Sequence, residues 1–508
     1  MPQILCMQQV LKLFILLYYV PSIFSKQEKL TTANDLPKLY PFNGSSQLTR
    51  IVQMLNERLA SEDPLSISLL KDHYSTFNGV RMDLGKMSSC IKNQNNFRFE
   101  LVLSKALRGE AINVVVYGGS NCAQAMFPII LKNWWSKVIT PATGSPLNLK
   151  IIGIGGTGSG YYQFCHEIYM KEAENIDLVI LETAVNDVMN TVIGMSNINH
   201  NLPLEQLTRQ LLSRPNSPAV FYVNLFLVSE HNSQCLNLVD YGQDLISDSY
   251  GITTFNLRCL CCRLHKGKFY ATPRTYDVHE GLHSKLLGHA QIALMIIHVI
   301  STAMSKIEKD AKSFKLNDLS WFDAAWSNIP PLPSPVFIKG KNSPITSQQC
   351  WATLTPDFRA DTYRNSLWLT IAKNTGFRYL SSYKIGRTSY SAESVSRTDA
   401  FGGLFGSKVN SEVTVSFMVA PQQPVGWNSS AIVGIAARCS GAARAVEAWL
   451  DDLYNQRVRM PFRSESSQTA VAIVGTHVQP GTHALTMRIV KEGDAVLVGV
   501  FVGYSNKP

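Results

Sequence analysis

A chain of 508 residues, 45% hydrophobic and only 17% charged, carries enough apolar material for a large core, which excludes a disordered or collagen-like polymer. At roughly 150 residues per domain, two or three domains are expected. The net charge of +10 favours acidic partners, whether uronic-acid glycans, anionic membrane surfaces or nucleic acid, at a density too low to choose among them.

Residues 13–20 read LFILLYYV, followed by Pro21 and, two positions after Ile23, by the small residue Ser25. This is the pattern of a secretory signal peptide over residues 1–25, with cleavage after Ser25. The first Lys or Arg is Lys12, so retention as an uncleaved signal anchor stays open as the one route to a membrane. No later apolar run is read as reaching the ~18 to 20 residues of a spanning helix. Two Asn-x-Ser sequons, at Asn43 and Asn428, fit a luminal or secreted route.

Loss of Cys6 with the leader leaves Cys90, Cys122, Cys165, Cys235, Cys259, Cys261, Cys262, Cys350 and Cys439. In an oxidising compartment these predict several disulfides and at least one odd thiol. The cluster CLCC at 259–262, with His265 behind it, lacks a second paired cluster at finger-like spacing, so disulfides or buried thiols are favoured over zinc.

Residues 26–105 mix helical patterns with polar loops and are read as an N-terminal extension packing on the next domain. From about 106, short and almost wholly apolar runs take over: NVVVYGG at 113–119, LKIIGIGG at 149–156, IDLVILETAVND at 176–187, AVFYVNLF at 219–226 and GITTFNLR at 251–258. Such runs suit strands buried on both faces of a parallel sheet. Helical patterns lie between them, and a last helix is expected at 285–304, so residues 106–305 read as a doubly wound α/β domain. Residues 306–340 form a linker that contains IPPLPSP at 329–335. Beyond it, over 341–508, period-two runs at 366–373, 412–420, 431–440, 469–478, 483–490 and 495–503 predict a mildly basic, all-β sandwich of jelly-roll type, expected to fold by itself and to bind glycan.

Four elements carry chemistry. Ser120, in VVVYGGSNCAQAM, stands where the first apolar strand ends and a helix begins, at the rim where catalytic groups collect in open α/β sheets. GIGGTGSG at 153–160 follows the second strand; it lacks the register of a dinucleotide loop and the Lys of a Walker loop, which disfavours nucleotide binding. Asn186 follows the third strand, where its amide can donate to an oxyanion or cap a helix. In YDVHEGLHSKLLGHAQIA, Glu280 precedes His283 by three residues, a spacing that lets a carboxylate fix the imidazole tautomer and leaves Nε2 as a base for serine.

Together these elements resemble, in order, the blocks of the SGNH/GDSL hydrolase superfamily over residues 106–305. The resemblance implies a flavodoxin-like three-layer fold with a parallel sheet, Ser120 as nucleophile, His283 as general base and Glu280 as the acid that orients it. It further implies an oxyanion hole made of the Ser120 and Gly156 N–H groups and the Asn186 side chain, with Gly155 and Gly158 as alternatives to Gly156. The chain departs from the family pattern at Gly119, where GDS has Asp; at Ile151, where Asn often opens the second block; and at Ser284, where Pro is common. The acid is Glu280 rather than Asp, and Asp277 competes for the role. The β-rich half resembles jelly-roll modules that accompany carbohydrate-active esterases, and Trp368, Trp427 and Trp449 are candidate sugar-stacking platforms or core residues.

The expectation is a secreted or luminal serine esterase that deacylates, most simply deacetylates, a polysaccharide or glycan, with neither metal nor organic cofactor and no nucleic-acid partner. Its rivals are acyl transfer to a sugar hydroxyl by the same fold, and an inactive domain in a glycan-binding or cell-surface recognition protein.

Overall fold

The computed structural model describes Gln53 and residues 84–505 other than 171–174, 190–191, 194–200, 229–233, 237–242, 266–267, 272–282, 314–328, 330, 339–344, 355, 357–368, 381–402, 422–429, 440–443, 463–467 and 492. The leader at 1–25, both sequons, Trp368, Trp427, Asp277 and Glu280 lie outside the described residues.

The first unit is built on strands β1 (Ile91–Lys92), β2 (Ile112–Gly118), β3 (Leu147–Gly153), β4 (Leu178–Glu182), β5 (Ala219–Asn224) and β6 (Thr253–Asn256), hydrogen-bonded in the order β1-β6-β5-β4-β2-β3. β2 to β6 are parallel, and β1 closes one edge antiparallel. The apolar runs work as expected for a sheet covered on both sides. Val114 and Val116 of β2, with Ile180 of β4 and Phe221 of β5, point into one core. Their neighbours Val115, Tyr117, Val179 and Tyr222 point into another.

Helices α1 (Leu84–Ser89), α2 (Phe97–Leu107), α3 (Ser120–Ala123), α4 (Met126–Thr143), α5 (Ser159–Met170), α6 (Ala184–Met189), α7 (Asn201–Leu212), α8 (Gln243–Tyr250), α9 (Leu257–Cys261) and α10 (Leu286–Ser313) complete the unit. α2, α4 and α10 fill the first core with Leu101, Trp134 and Ile296, while α5 and α7 fill the second with Tyr162, Phe164 and Leu207. The α/β unit therefore begins ahead of the expected start at 106. β1 pairs with β6, α2 is buried, and Cys90 is bridged to Cys259, so residues 84–105 are part of the unit and not an extension resting on it.

α10 runs on to Ser313, past the expected end at 304, and corrects the reading that no later run has membrane-spanning length. Its segment Leu286–Ile307 is long and apolar enough to cross a membrane, but 67% of that stretch is buried inside the protein, where it serves as a core helix.

Two further bridges, Cys165–Cys350 and Cys235–Cys262, accompany the first. The CLCC cluster thus divides into two bridged cysteines, Cys259 and Cys262, flanking the buried thiol of Cys261.

The second unit contains β7 (Ile345–Ala352), β8 (Thr370–Thr375), β9 (Phe377–Leu380), β10 (Gly403–Gly406), β11 (Glu412–Val419), β12 (Ser430–Cys439), β13 (Arg444–Leu450), β14 (Val458–Phe462), β15 (Thr469–Val478), β16 (Gly481–Ile489) and β17 (Ala495–Ser505). One sheet runs β9-β10-β17-β12-β15 with β7 also on β17, and the other β8-β11-β16-β13-β14. These pairings are antiparallel, a two-residue strand of the first unit, Val192–Ile193, adds parallel to the outer side of β15, and Val415, Ile435, Met487 and Val502 interleave between the sheets. Trp449 is 7% exposed and lies under the Arg488 guanidinium, which is 4.9 Å from its ring centroid, so it serves the packing and offers no open platform.

The expectation of a separate sandwich meets a shared core. Phe164 of α5 stacks on Phe501 of β17 with ring centroids 4.0 Å apart, in the same cluster as Val115 and Tyr162. The proline-rich link is fastened as well: the buried Glu205 carboxylate of α7 accepts the Val336, Phe337 and Ile338 N–H groups at 2.5, 2.7 and 3.1 Å. Phe501→Ala is therefore expected to cost about 3–5 kcal/mol, with calorimetry showing one cooperative transition. Two separated transitions in the unmutated chain would mean that the units fold independently.

Candidate active site

The five parallel strands follow the doubly wound order second, first, third, fourth, fifth, so the strand order reverses direction between β2 and β4. Such a switch point opens a crevice at the carboxyl ends of the strands. Ser120 enters it as the first residue of α3, capped by Gly119.

The turn into α3 is compressed. A Cβ on Gly118 would stand 2.5 Å from the Cys122 Cβ and 2.7 Å from the Glu182 carbonyl oxygen, so only glycine fits. The Gly119 N–H donates to Glu182 O at 3.2 Å, and the Cys122 N–H donates to Glu182 Oε2 at 3.1 Å. Glu182, the last residue of β4, thereby anchors the turn that presents Ser120, and its burial pushes the carboxyl up to about 8.

His283 lies 163 residues further along the chain, and its Nε2 is 2.8 Å from Ser120 Oγ. The next residue explains the approach: the Ser284 N–H donates to Asn121 Oδ1 at 2.7 Å, which ties the segment before α10 to the residue after the serine. One turn into α10, the buried His289 donates from Nε2 to Gln124 Oε1 at 3.0 Å and stacks on Phe127. Burial pulls its imidazole down to about 3, so it stays neutral at ordinary pH and serves as a second clamp between α10 and the serine's segment.

Asn186, on α6 after β4, reaches the same turn. Its Nδ2 occupies the space into which a Cβ on Gly119 would project, at 1.7 Å. The Gly119 departure from GDS thus makes room for the Asn186 amide against the backbone next to Ser120. The glycine loop after β3 lies alongside. A Cβ on Gly155 would be 3.9 Å from the Ser120 Cβ, and Gly156 has φ +67°. Gly158 is pressed against Asp187, whose Oδ1 would lie 2.4 Å from its Cβ and accepts the Ser159 N–H at 2.6 Å.

Ser120, His283, Asn186, Gly155 and Gly156 therefore come together, while Glu280 and Asp277 lie outside the described residues. Among the described residues, no cluster of three His, Cys, Asp or Glu side chains is arranged to hold a metal.

Sequence reasoning passed over Asn121, Glu182, Asp187 and Gln124. Glu182 ends a strand, and Asn121 and Asp187 sit beside Ser120 and Asn186, which was the available clue; nothing in the sequence marked Gln124. Asp187 also accepts from Thr183 Oγ1 at 2.7 Å, and its burial pushes the carboxyl up to about 6.

Gly119→Ala is expected to lose about 1–3 kcal/mol of stability through overpacking against Asn186. The double variant Gly119→Ala, Asn186→Ala should recover most of that loss in urea unfolding. A double variant that is no more stable than Gly119→Ala would show that another neighbour sets the limit.

No protein-family model matches the chain, and no curated protein does. Among solved structures it is similar to a two-domain esterase active on acetylated mannans, with 17% identity over 82% of this chain and 99% of that one, at a TM-score of 0.49. The same esterase co-crystallized with mannopentaose gives 17% identity with the same shares and a TM-score of 0.48. A peptidoglycan O-acetylesterase is similar at 9% identity over 44% of this chain and 100% of that one, with a TM-score of 0.33.

Proposed function

We propose that this protein is a serine ester hydrolase of the SGNH type that removes short acyl groups, in the first instance acetyl, from a polysaccharide or glycan. The observation that carries the reading is the 2.8 Å contact between His283 Nε2 and Ser120 Oγ at the switch point of a doubly wound sheet. Nucleophile and base at hydrogen-bond distance at a helix start are what acyl transfer requires.

In this reading Ser120 Oγ adds to the acyl carbonyl carbon as His283 Nε2 takes the hydroxyl proton. The tetrahedral oxyanion is held by the Ser120 and Gly156 N–H groups and the Asn186 amide. Collapse breaks the bond to the sugar oxygen, which leaves with the proton from His283. Water, deprotonated by the same imidazole, then adds to the acyl-enzyme and releases the carboxylic acid. Glu280 holds His283 Nδ1–H and stabilises the imidazolium, with Asp277 as the alternative acid.

The glycan part of the reading draws on a different set of features: a leader-like N-terminus, three disulfides, and an antiparallel sandwich fused to the ester-cleaving unit. These favour a secreted or luminal enzyme acting on an extracellular polymer.

Ser120→Ala is expected to abolish hydrolysis of an aryl acetate, a loss of several powers of ten, and to end labelling by a fluorophosphonate while circular dichroism is unchanged. Undiminished hydrolysis by the folded variant would sink the assignment. Retained fluorophosphonate labelling of the wild type with release of acetate only to an added sugar acceptor would instead identify a transferase. For the acid, Glu280→Gln is expected to lower kcat by up to about 10⁴-fold, far more than Asp277→Asn. The reverse order of effects would give the orienting role to Asp277.

A further inference from the structure

Arg438 of β12 is a sandwich residue whose side chain ends in the glycine loop of the other unit. It is wholly buried, at 0% exposure. Its Nη2 donates to Gly155 O at 2.6 Å and to Thr157 Oγ1 at 3.2 Å, and its Nε donates to Thr469 Oγ1 at 2.9 Å. Thr469, at the start of β15, adds two bonds of its own: its N–H donates to Gly156 O at 2.9 Å, and its Oγ1 is 2.8 Å from Thr157 Oγ1. Burying a guanidinium is costly unless hydrogen bonds replace its water. A residue placed only to fill space between two apolar surfaces would be better served by Leu or Met.

What Arg438 grips is the peptide that joins Gly155 to Gly156. In a trans peptide the carbonyl and the N–H point in opposite directions. Holding the Gly155 carbonyl on the sandwich side therefore turns the Gly156 N–H to the opposite side of the loop. Glycines on both sides of this peptide, one of them at φ +67°, leave its orientation weakly determined by the backbone itself. The Thr469 N–H pins the next carbonyl, while the N–H at the other end of that peptide, Thr157, donates to Ile154 O at 3.1 Å, so the sandwich and the loop's own turn hold that plane together.

We propose that Arg438, seconded by Thr469, is a positioning residue for the oxyanion hole: it selects the peptide orientation in which the Gly156 N–H faces the acyl oxygen of a substrate on Ser120. This deepens the esterase reading and rests on it. The β-sandwich then supplies part of the catalytic geometry itself. The effect falls on the transition state, where charge develops on the acyl oxygen, and hardly on ground-state binding.

The test uses the full chain with Arg438→Met, Arg438→Lys and Thr469→Val, read by aryl acetate kinetics, fluorophosphonate labelling, circular dichroism and hydrogen exchange of residues 153–160. Arg438→Met is expected to lower kcat about 10²-fold, comparable to losing one oxyanion donor, with KM within about twofold and faster exchange confined to the glycine loop. Lys can still donate to Gly155 O, so Arg438→Lys should recover part of kcat. If Arg438→Met does not fold, Thr469→Val carries the test: it keeps the N–H on Gly156 O but removes the hydroxyl that holds Arg438 Nε and Thr157, so the guanidinium loses its anchor and kcat is expected to fall several-fold. Folded variants with wild-type kcat, or with a change in KM alone, overturn the proposal. A wild type that neither hydrolyses esters nor reacts with the fluorophosphonate sinks the esterase reading, and loop exchange then decides on the grip itself: unchanged exchange in Arg438→Met overturns it.

Discussion

A serine and a histidine separated by 163 residues in the chain need a fixed distance between two segments that share no secondary structure. The hydrogen bond from the Ser284 N–H to Asn121 Oδ1 provides that distance, because it joins the residue after the histidine to the residue after the serine. Both ends are buried, so the bond is shielded from competing water and costly to break. The His289 to Gln124 contact repeats the device one helical turn later. Between them they convert the docking of a long core helix onto the sheet into a bond length at the rim.

The other half of the site depends on the absence of side chains. Gly118, Gly119, Gly153 and Gly158 each meet a neighbour at a distance that a Cβ cannot tolerate. The space they leave lets β4, α3 and the loop after β3 close on one another, and Glu182 and Asp187 fill the junction with carboxylates that accept from backbone N–H groups and, for Asp187, from the Thr183 hydroxyl as well. Burial raises both carboxyls, which means that the site is built on groups held in a poorly hydrated place.

This division explains what was legible in the sequence. Apolar runs report directly on burial, so β2 to β6 and most of the sandwich strands were readable from their patterns. The shorter or more polar strands β7, β9, β10, β13 and β14 were not, since their register is supplied by neighbours. Ser120, His283, Asn186 and the glycine loop stood out because chemistry restricts the residue types that end strands. Asn121 and Arg438 did not, because a polar residue in sequence looks solvated and only the fold reveals that it is buried. That the α/β unit reaches back at least to residue 84 escapes a sequence reading for a related reason: β1 is a two-residue edge strand, and its place is set by β6 and the Cys90–Cys259 bridge.

The Cys165–Cys350 bridge joins α5, the helix after the glycine loop, to β7 at the start of the sandwich. The peptide chain between the units is therefore not their sole covalent connection. A protease that cuts once between residues 313 and 345 leaves two fragments still joined through sulfur, with the shared aromatic packing intact beneath them. Release of the sandwich then needs a reductant as well as a protease. In an oxidising environment rich in degradative enzymes, the two-unit assembly is protected against loss of either half by a single nick.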